Sequence, residues 1–200
     1  MNNLRVILIG GSSNIGKSTV AQFLARKIGC SHLSTDSLAR HPGRPWKQGR
    51  GFIPDYVVEH YASLSVDELI TDVLHHYRRI WPIIETIIAM YARDETYDRL
   101  ILEGSALWPE SVAKLEMDKV QSIWLKGDRE LFKKRIYHES RYTEVSIQEQ
   151  YLIDQFLRRT IRYNQKMTEV INALGLDSLE VAEGDSPEFL SDLVFKLLIK

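Results

Sequence analysis

The sequence is poor in several things, and each shortage excludes something. One of its 200 residues is cysteine, Cys30. A lone thiol rules out an internal disulfide and suits a reducing compartment. Cys30 reads as a small apolar filler rather than a nucleophile. No stretch approaches the ~18 apolar residues of a membrane span, so no membrane association is expected. Neither sign of charge is in excess: Lys and Arg number 26 against 27 Asp and Glu, a formal net charge of −1. A chain this balanced carries no global field for nucleic acid or anionic lipid, and neither is an expected partner. Internal repeats, low-complexity tracts and the guanine-specific N-K-x-D tract are absent. The six histidines have no metal-ligand spacing. His75 and His76 are neighbours and cannot share a helical face, so a structural zinc site is not expected.

What is present suits one domain, residues 1–200, with a single core: 44% of the residues are hydrophobic and 26% charged. The apolar run Val6-Ile7-Leu8-Ile9 is too short for a signal peptide and leads straight into a glycine tract, so a cytoplasmic protein is expected. That tract is Gly11-Ser12-Ser13-Asn14-Ile15-Gly16-Lys17-Ser18, followed by Thr19. It satisfies G-x-x-x-x-G-K-[ST] between a strand pattern and a helix-period segment, Ser18 to Lys27. Phosphate oxygens need several inward donors, which a loop of backbone N–H groups at a helix N-terminus supplies. Gly11 and Gly16 allow close approach or positive φ. Lys17 is a mobile charge for the β- and γ-phosphates. The Ser18 hydroxyl is placed for Mg²⁺, with Thr19 beside it. A dinucleotide fingerprint is the competing reading, with Asp36 as its acid, but G-x-G-x-x-G is missing.

Strand patterns at Val6–Ile9, Ser31–Thr35, Leu100–Leu102, Val120–Leu125 and Leu179–Ala182 alternate with helical segments. This is an α/β order, with a central parallel sheet of about five strands and right-handed crossovers. Ser186 opens a closing helix from Pro187. Two segments exceed the minimal rhythm. Residues 40–97 begin Gly/Pro-rich and continue with helix patterns over Val66–Ile80 and Ile83–Arg93, which Pro82 should kink or split. Residues 136–150 are polar and precede a long helix pattern from Gln150 to Leu174. Both fall at the C-terminal side of the sheet, where open α/β sheets bind ligands. The first reads as a substrate-binding insertion and the second as a lid.

Asp36 ends the second strand, where a carboxylate could orient or deprotonate an attacking hydroxyl; the other reading is a helix N-cap. Between Ser37 and Pro54 there is no Asp or Glu, but there are Arg40, His41, Arg44, Lys47 and Arg50 among Gly43, Gly49 and Gly51. Such a basic loop suits a carboxylate or phosphate on the acceptor, unless it is a solvated surface loop. Glu103 ends the third strand, placed to support Mg²⁺ or align the attacking group; a cap or a Lys17 partner is the alternative. Gly104 would let backbone pass close to substrate. Asp128 caps the helix carrying Arg135. Arg135, Arg141, Arg158, Arg159 and Arg162 flank the second insertion, and Arg135 and Arg141 are the first choices for neutralising charge from a lid.

Taken in order, Gly11–Thr19, the Asp36 strand end, Glu103-Gly104 and Trp124–Ile136 resemble the P-loop small-molecule kinases. These include shikimate, gluconate, adenylylsulfate and nucleoside monophosphate kinases and chloramphenicol phosphotransferase. Leu100-Ile101-Leu102-Glu103-Gly104 with Pro109 downstream looks like the 2-phosphoglycerate kinase group. The resemblance implies a P-loop NTPase three-layer fold, an ATP donor, Mg²⁺ and a closing lid. Many such kinases carry D-x-D at the second strand; here the first position is Ser34, so Asp36 lacks that neighbour. The expected activity is phosphorylation of a hydroxyl on a small, anionic metabolite. The alternatives are a nucleotide-driven switch or ATPase acting on a macromolecule and a kinase of nucleic-acid 5′ ends.

Overall fold

The computed structural model describes residues 4–38, 41–47 and 52–198. Arg40, Gly49, Arg50 and Gly51 lie outside the described residues. Five strands form one parallel sheet: β1 (Val6–Gly11), β2 (Ser31–Ser34), β3 (Leu100–Glu103), β4 (Val120–Lys126) and β5 (Ser178–Glu180), in the order β2-β3-β1-β4-β5. β1 is central and wholly buried, as its unbroken apolar run requires of a parallel strand covered on both faces.

Side chains of β1 alternate between two cores. Ile7 and Ile9 pack with Val20, Ala21 and Leu24 of α1 (Lys17–Ile28) and with Leu190 and Val194 of α7 (Pro187–Leu198). Val6 and Leu8 pack with Ile84 and Ile88 of α3 (Val66–Arg93) and with Met167 and Ile171 of α6 (Ile147–Leu174). Helix, sheet, helix is the three-layer architecture the strand–helix rhythm predicts. The remaining helices are α2 (Asp55–Ser63), α4 (Pro109–Val112) and α5 (Arg129–Ser140). Among the described residues, no helix is long and apolar enough to cross a membrane.

Pro82 neither splits nor ends its helix. α3 runs unbroken for 28 residues, begun by a Ser65–Glu68 capping box. Its buried stripe (Leu69, Ile70, Val73, Ile80, Ile84, Ile88, Ala92) extends on both sides of the proline. Burial of that stripe outweighs the ~3 kcal/mol that an interior proline costs. α3 is also the crossover between β2 and β3, so much of the region following the basic loop belongs to the core. A second capping box, Ser146–Glu149, starts α6 three residues before the expected boundary.

The expected lid is a tight corner. α5 ends at Ser140, a 3₁₀ turn covers Tyr142–Glu144, and α6 begins at Ile147. Tyr137 and Tyr142 stack at 3.8 Å, and both donate to the Asp154 carboxylate, at 2.7 and 3.0 Å.

Candidate active site

The C-terminal ends of β1, β2 and β3 open on a cleft of about 1040 Å³. Its walls include Lys17, Ser18, Asp36 and Glu103 on one side and His41, Arg44, Tyr77 and Arg159 on another.

The Gly11–Thr19 tract turns from β1 into α1. Gly16, the residue before the helix, is left-handed with φ 95°, and Asn14 is left-handed with φ 62°. These conformations turn successive N–H groups toward one concavity, an anion nest. A Cβ on Gly11 would lie 2.7 Å from the Leu125 carbonyl and 3.2 Å from Lys17 Cδ, so its absence makes room for the Lys17 stem. Ile15 sends its side chain into the core, leaving only its backbone to the loop. Ser13, Ser18 and Thr19 line the cleft. Ser12 is fully buried, and its Oγ has no hydrogen-bond partner among the described residues.

Lys17 is 7% exposed and donates from Nζ to the Ser12 carbonyl at 2.7 Å. Burial pushes its ammonium below the usual lysine range, while the nearby Glu103 and Asp36 carboxylates act in the opposite sense. Ser18 Oγ donates to Glu103 Oε1 at 3.0 Å. Glu103 is 1% exposed at the end of β3. Hydroxyl and carboxylate together form an all-oxygen donor pair at the helix start, the chemistry a hard cation such as Mg²⁺ requires. Asp36 sits in a 3₁₀ turn, Thr35–Ser37, where its N–H donates to Ser34 Oγ. Ser34 therefore caps that turn, and the Asp36 carboxylate is left exposed at the cleft. The space a Cβ of Gly104 would need is filled by Thr35, whose Oγ1 would lie 1.7 Å away. The glycine thus brings the ends of β3 and β2 together, whereas the sequence had suggested room for substrate.

Arg135 lines the cleft beside the loop, donating from Nη1 to the carbonyls of Ile15 (2.8 Å) and Asn14 (3.3 Å). Arg141 adopts φ 51° at the C-terminus of α5 and reaches Glu144 at 3.9 Å from an exposed position on the cleft rim. Arg44 is ion-paired with Glu139 of α5, which also accepts from the Asn14 amide. Lys47 pairs with Glu149 at 3.7 Å beside the α5–α6 corner and does not line the main cleft. The basic loop is therefore held to the lid corner by acids from elsewhere in the chain. Trp46 anchors it, 4% exposed and edge-on to Phe156 at 4.9 Å.

Arg159 was one of the five arginines that flank the second insertion in the sequence, and it stands apart in the structure. It is 5% exposed on α6 yet lines the cleft. Its Nη1 donates to Tyr61 Oη at 2.8 Å, and Tyr61 in turn donates to the Gly43 carbonyl at 3.1 Å. Among the described residues no carboxylate forms an ion pair with Arg159. Its neighbours are phenols: burial raises Tyr61 and Tyr163 above the usual range and pushes Tyr77 up to about 12, so they remain neutral. A buried guanidinium without a carboxylate is costly unless an anion completes it. Glu139, Arg159, Tyr61 and Tyr77 were missed as site residues. Their α-helical spacing marks them as core or surface, and only tertiary packing brings them together.

No family model matches the chain, and no curated protein matches it in sequence. Solved structures do match. A shikimate kinase from Acinetobacter baumannii in complex with shikimate gives a TM-score of 0.53 at 16% identity, covering 98% of this chain and 93% of that one. A sugar kinase from a Janibacter species gives 0.56 at 19% identity, over 98% and 95% of the two chains. A gluconokinase from Sinorhizobium meliloti gives 0.51 at 18%, over 96% and 91%. All are P-loop small-molecule kinases, and this chain has their α/β fold over nearly its whole length.

Proposed function

We propose that this protein is an ATP-dependent kinase that phosphorylates a hydroxyl group of a small anionic metabolite. One observation carries the reading. A phosphate nest with Lys17 and the Ser18–Glu103 pair shares a cleft with an exposed carboxylate, Asp36, and with Arg159, a buried cation that has no carboxylate partner among the described residues. The solved structures of like fold are named as kinases of shikimate, a sugar and gluconate, which agrees with a small hydroxylated acceptor.

Backbone N–H groups of residues 12–18 would hold the phosphates of ATP, together with Lys17, whose Nζ exchanges its Ser12 carbonyl partner for phosphate oxygen. Ser18 and Glu103 would hold Mg²⁺, which when bound neutralises charge on the phosphate oxygens. Arg159 would take the acceptor's carboxylate or phosphate, with Tyr61 fixing its guanidinium and Arg44 near the same wall. The acceptor hydroxyl would attack the γ-phosphorus. Its bond to phosphorus forms, the bond to the β,γ-bridging oxygen breaks, ADP leaves, and Asp36 receives the hydroxyl proton.

ATP consumption is the test, measured with and without hydroxy acids, sugar acids, phosphoglycerates, neutral sugars and nucleosides. Turnover that requires an anionic acceptor supports the reading. Turnover equally good with neutral acceptors removes the role of Arg159. Hydrolysis indifferent to every acceptor, and coupled instead to a macromolecule, would overturn it.

A further inference from the structure

Three residues that the proposed transfer does not use meet at the acceptor wall, where His41 itself lines the cleft. His41 comes from the basic loop, His60 from α2 and Asp72 from α3. His41 Nε2 lies 3.0 Å from Asp72 Oδ2, and His60 Nδ1 lies 3.6 Å from the same oxygen. The ligand atoms of all three are within 4.8 Å of one another. Four tetrahedral ligands at 2.0–2.1 Å from a zinc-like ion stand about 3.3 Å apart, and the two distances bracket that separation. His76, one turn beyond Asp72 on the same face of α3, brings its ring centroid to 4.6 Å from that of His41.

Hydrogen bonding does not exhaust this cluster. His41 Nδ1, His60 Nε2 and His76 Nε2 are all buried without a partner among the described residues. The imidazole side chains are themselves largely covered, His41 and His60 being 21% and 12% exposed. Two imidazoles and one carboxylate suit zinc, cobalt or nickel; magnesium and calcium prefer all-oxygen sets. The imidazoles bind a metal in their neutral form.

We propose that His41, His60 and Asp72 form a site for a zinc-class divalent transition-metal ion, with His76 or water in the fourth position. The ion would tie the loop bearing His41 and Arg44 to α2 and α3. It would thereby fix the wall that carries Arg159, with ligand chemistry different from that of the Ser18–Glu103 pair. The site does not depend on the kinase reading, since its ligands lie outside the phosphate nest.

The test is titration of the chelator-stripped, nucleotide-free full chain with Co²⁺, followed by visible d–d absorption, then displacement with Zn²⁺. Stoichiometric absorption of tetrahedral character is expected, abolished by Zn²⁺. Zinc affinity should fall at least about tenfold in His60→Gln and Asp72→Asn, and should be unchanged in Ser18→Ala. His41→Gln, on a loop, keeps the test usable if the helix variants misfold. No cobalt absorption in the wild type, or absorption undiminished in His41→Gln and Asp72→Asn, would overturn the proposal.

Discussion

The Ser18 hydroxyl donates to Glu103 Oε1 across 3.0 Å, joining the first turn of α1 to the last residue of β3. The bond links two segments 85 residues apart at the point where the phosphate loop ends. Glu103→Gln keeps the shape but removes the charge. It is expected to lower kcat by about 10²–10³-fold and to raise the Mg²⁺ concentration needed for half-maximal turnover. The measurement is steady-state rate against Mg²⁺ at saturating ATP; an unchanged Mg²⁺ dependence would remove Glu103 from the metal.

Lys17→Ala removes the one ammonium in the nest. Turnover should fall by at least about 10²-fold. The fold should persist, because the one hydrogen bond of Nζ among the described residues is to the Ser12 carbonyl. Far-UV circular dichroism and thermal unfolding check the fold, and ATP consumption checks the chemistry. Wild-type turnover in a folded variant would sink the proposed role.

Arg159→Met separates acceptor binding from stability. Losing one charge-assisted contact to the acceptor corresponds to about tenfold to a hundredfold in acceptor KM, with ATP KM little changed. Stability should hold or rise, because the replacement removes a buried charge that has no carboxylate partner among the described residues, and Tyr61 keeps its bond to the Gly43 carbonyl. A strongly destabilised variant with normal acceptor KM would mark Arg159 as a structural group only.

Gly10→Ala tests the packing beneath the nest. The added Cβ would lie 2.3 Å from Trp124 Cδ1 and Nε1. The ring is 1% exposed and donates to the Leu107 carbonyl at 2.9 Å, so it has nowhere to retreat. Overpacking should cost about 1–3 kcal/mol, a fall of several degrees in Tm. A variant as stable as the wild type would contradict that rigidity.

The strand–turn–helix at Gly11–Thr19 was legible in the sequence because its pattern is contiguous, one turn leading from β1 into α1. β1 and β3 were legible because a parallel strand buried on both faces is a near-continuous apolar run, while the edge strands β2 and β5 are only partly buried and more polar. Pro82 misled because a local rule was outweighed by a stripe of apolar side chains from Leu69 to Ala92, about six turns long. Arg159 was not separable from four other arginines, since what distinguishes it is the lack of a carboxylate in three dimensions. The histidine cluster was invisible for a related reason. His41, His60 and Asp72 are far apart in the chain, and spacing rules register only neighbours on one element. The basic loop was read as free charge, and Glu139 and Glu149, nearly a hundred residues later, pair with Arg44 and Lys47.

The sheet order β2-β3-β1-β4-β5 sets the transfer groups on three adjacent strand ends, while Arg44, Tyr61, Tyr77 and Arg159 stand on a loop and on helices. On the proposed reading, the protein is divided between a fixed tool and an exchangeable holder. Residues of the holder would then be the ones to change for a different metabolite, leaving the backbone that carries Lys17, Ser18 and Glu103 untouched. An engineer seeking a new acceptor should vary the helical wall and leave the strand ends alone.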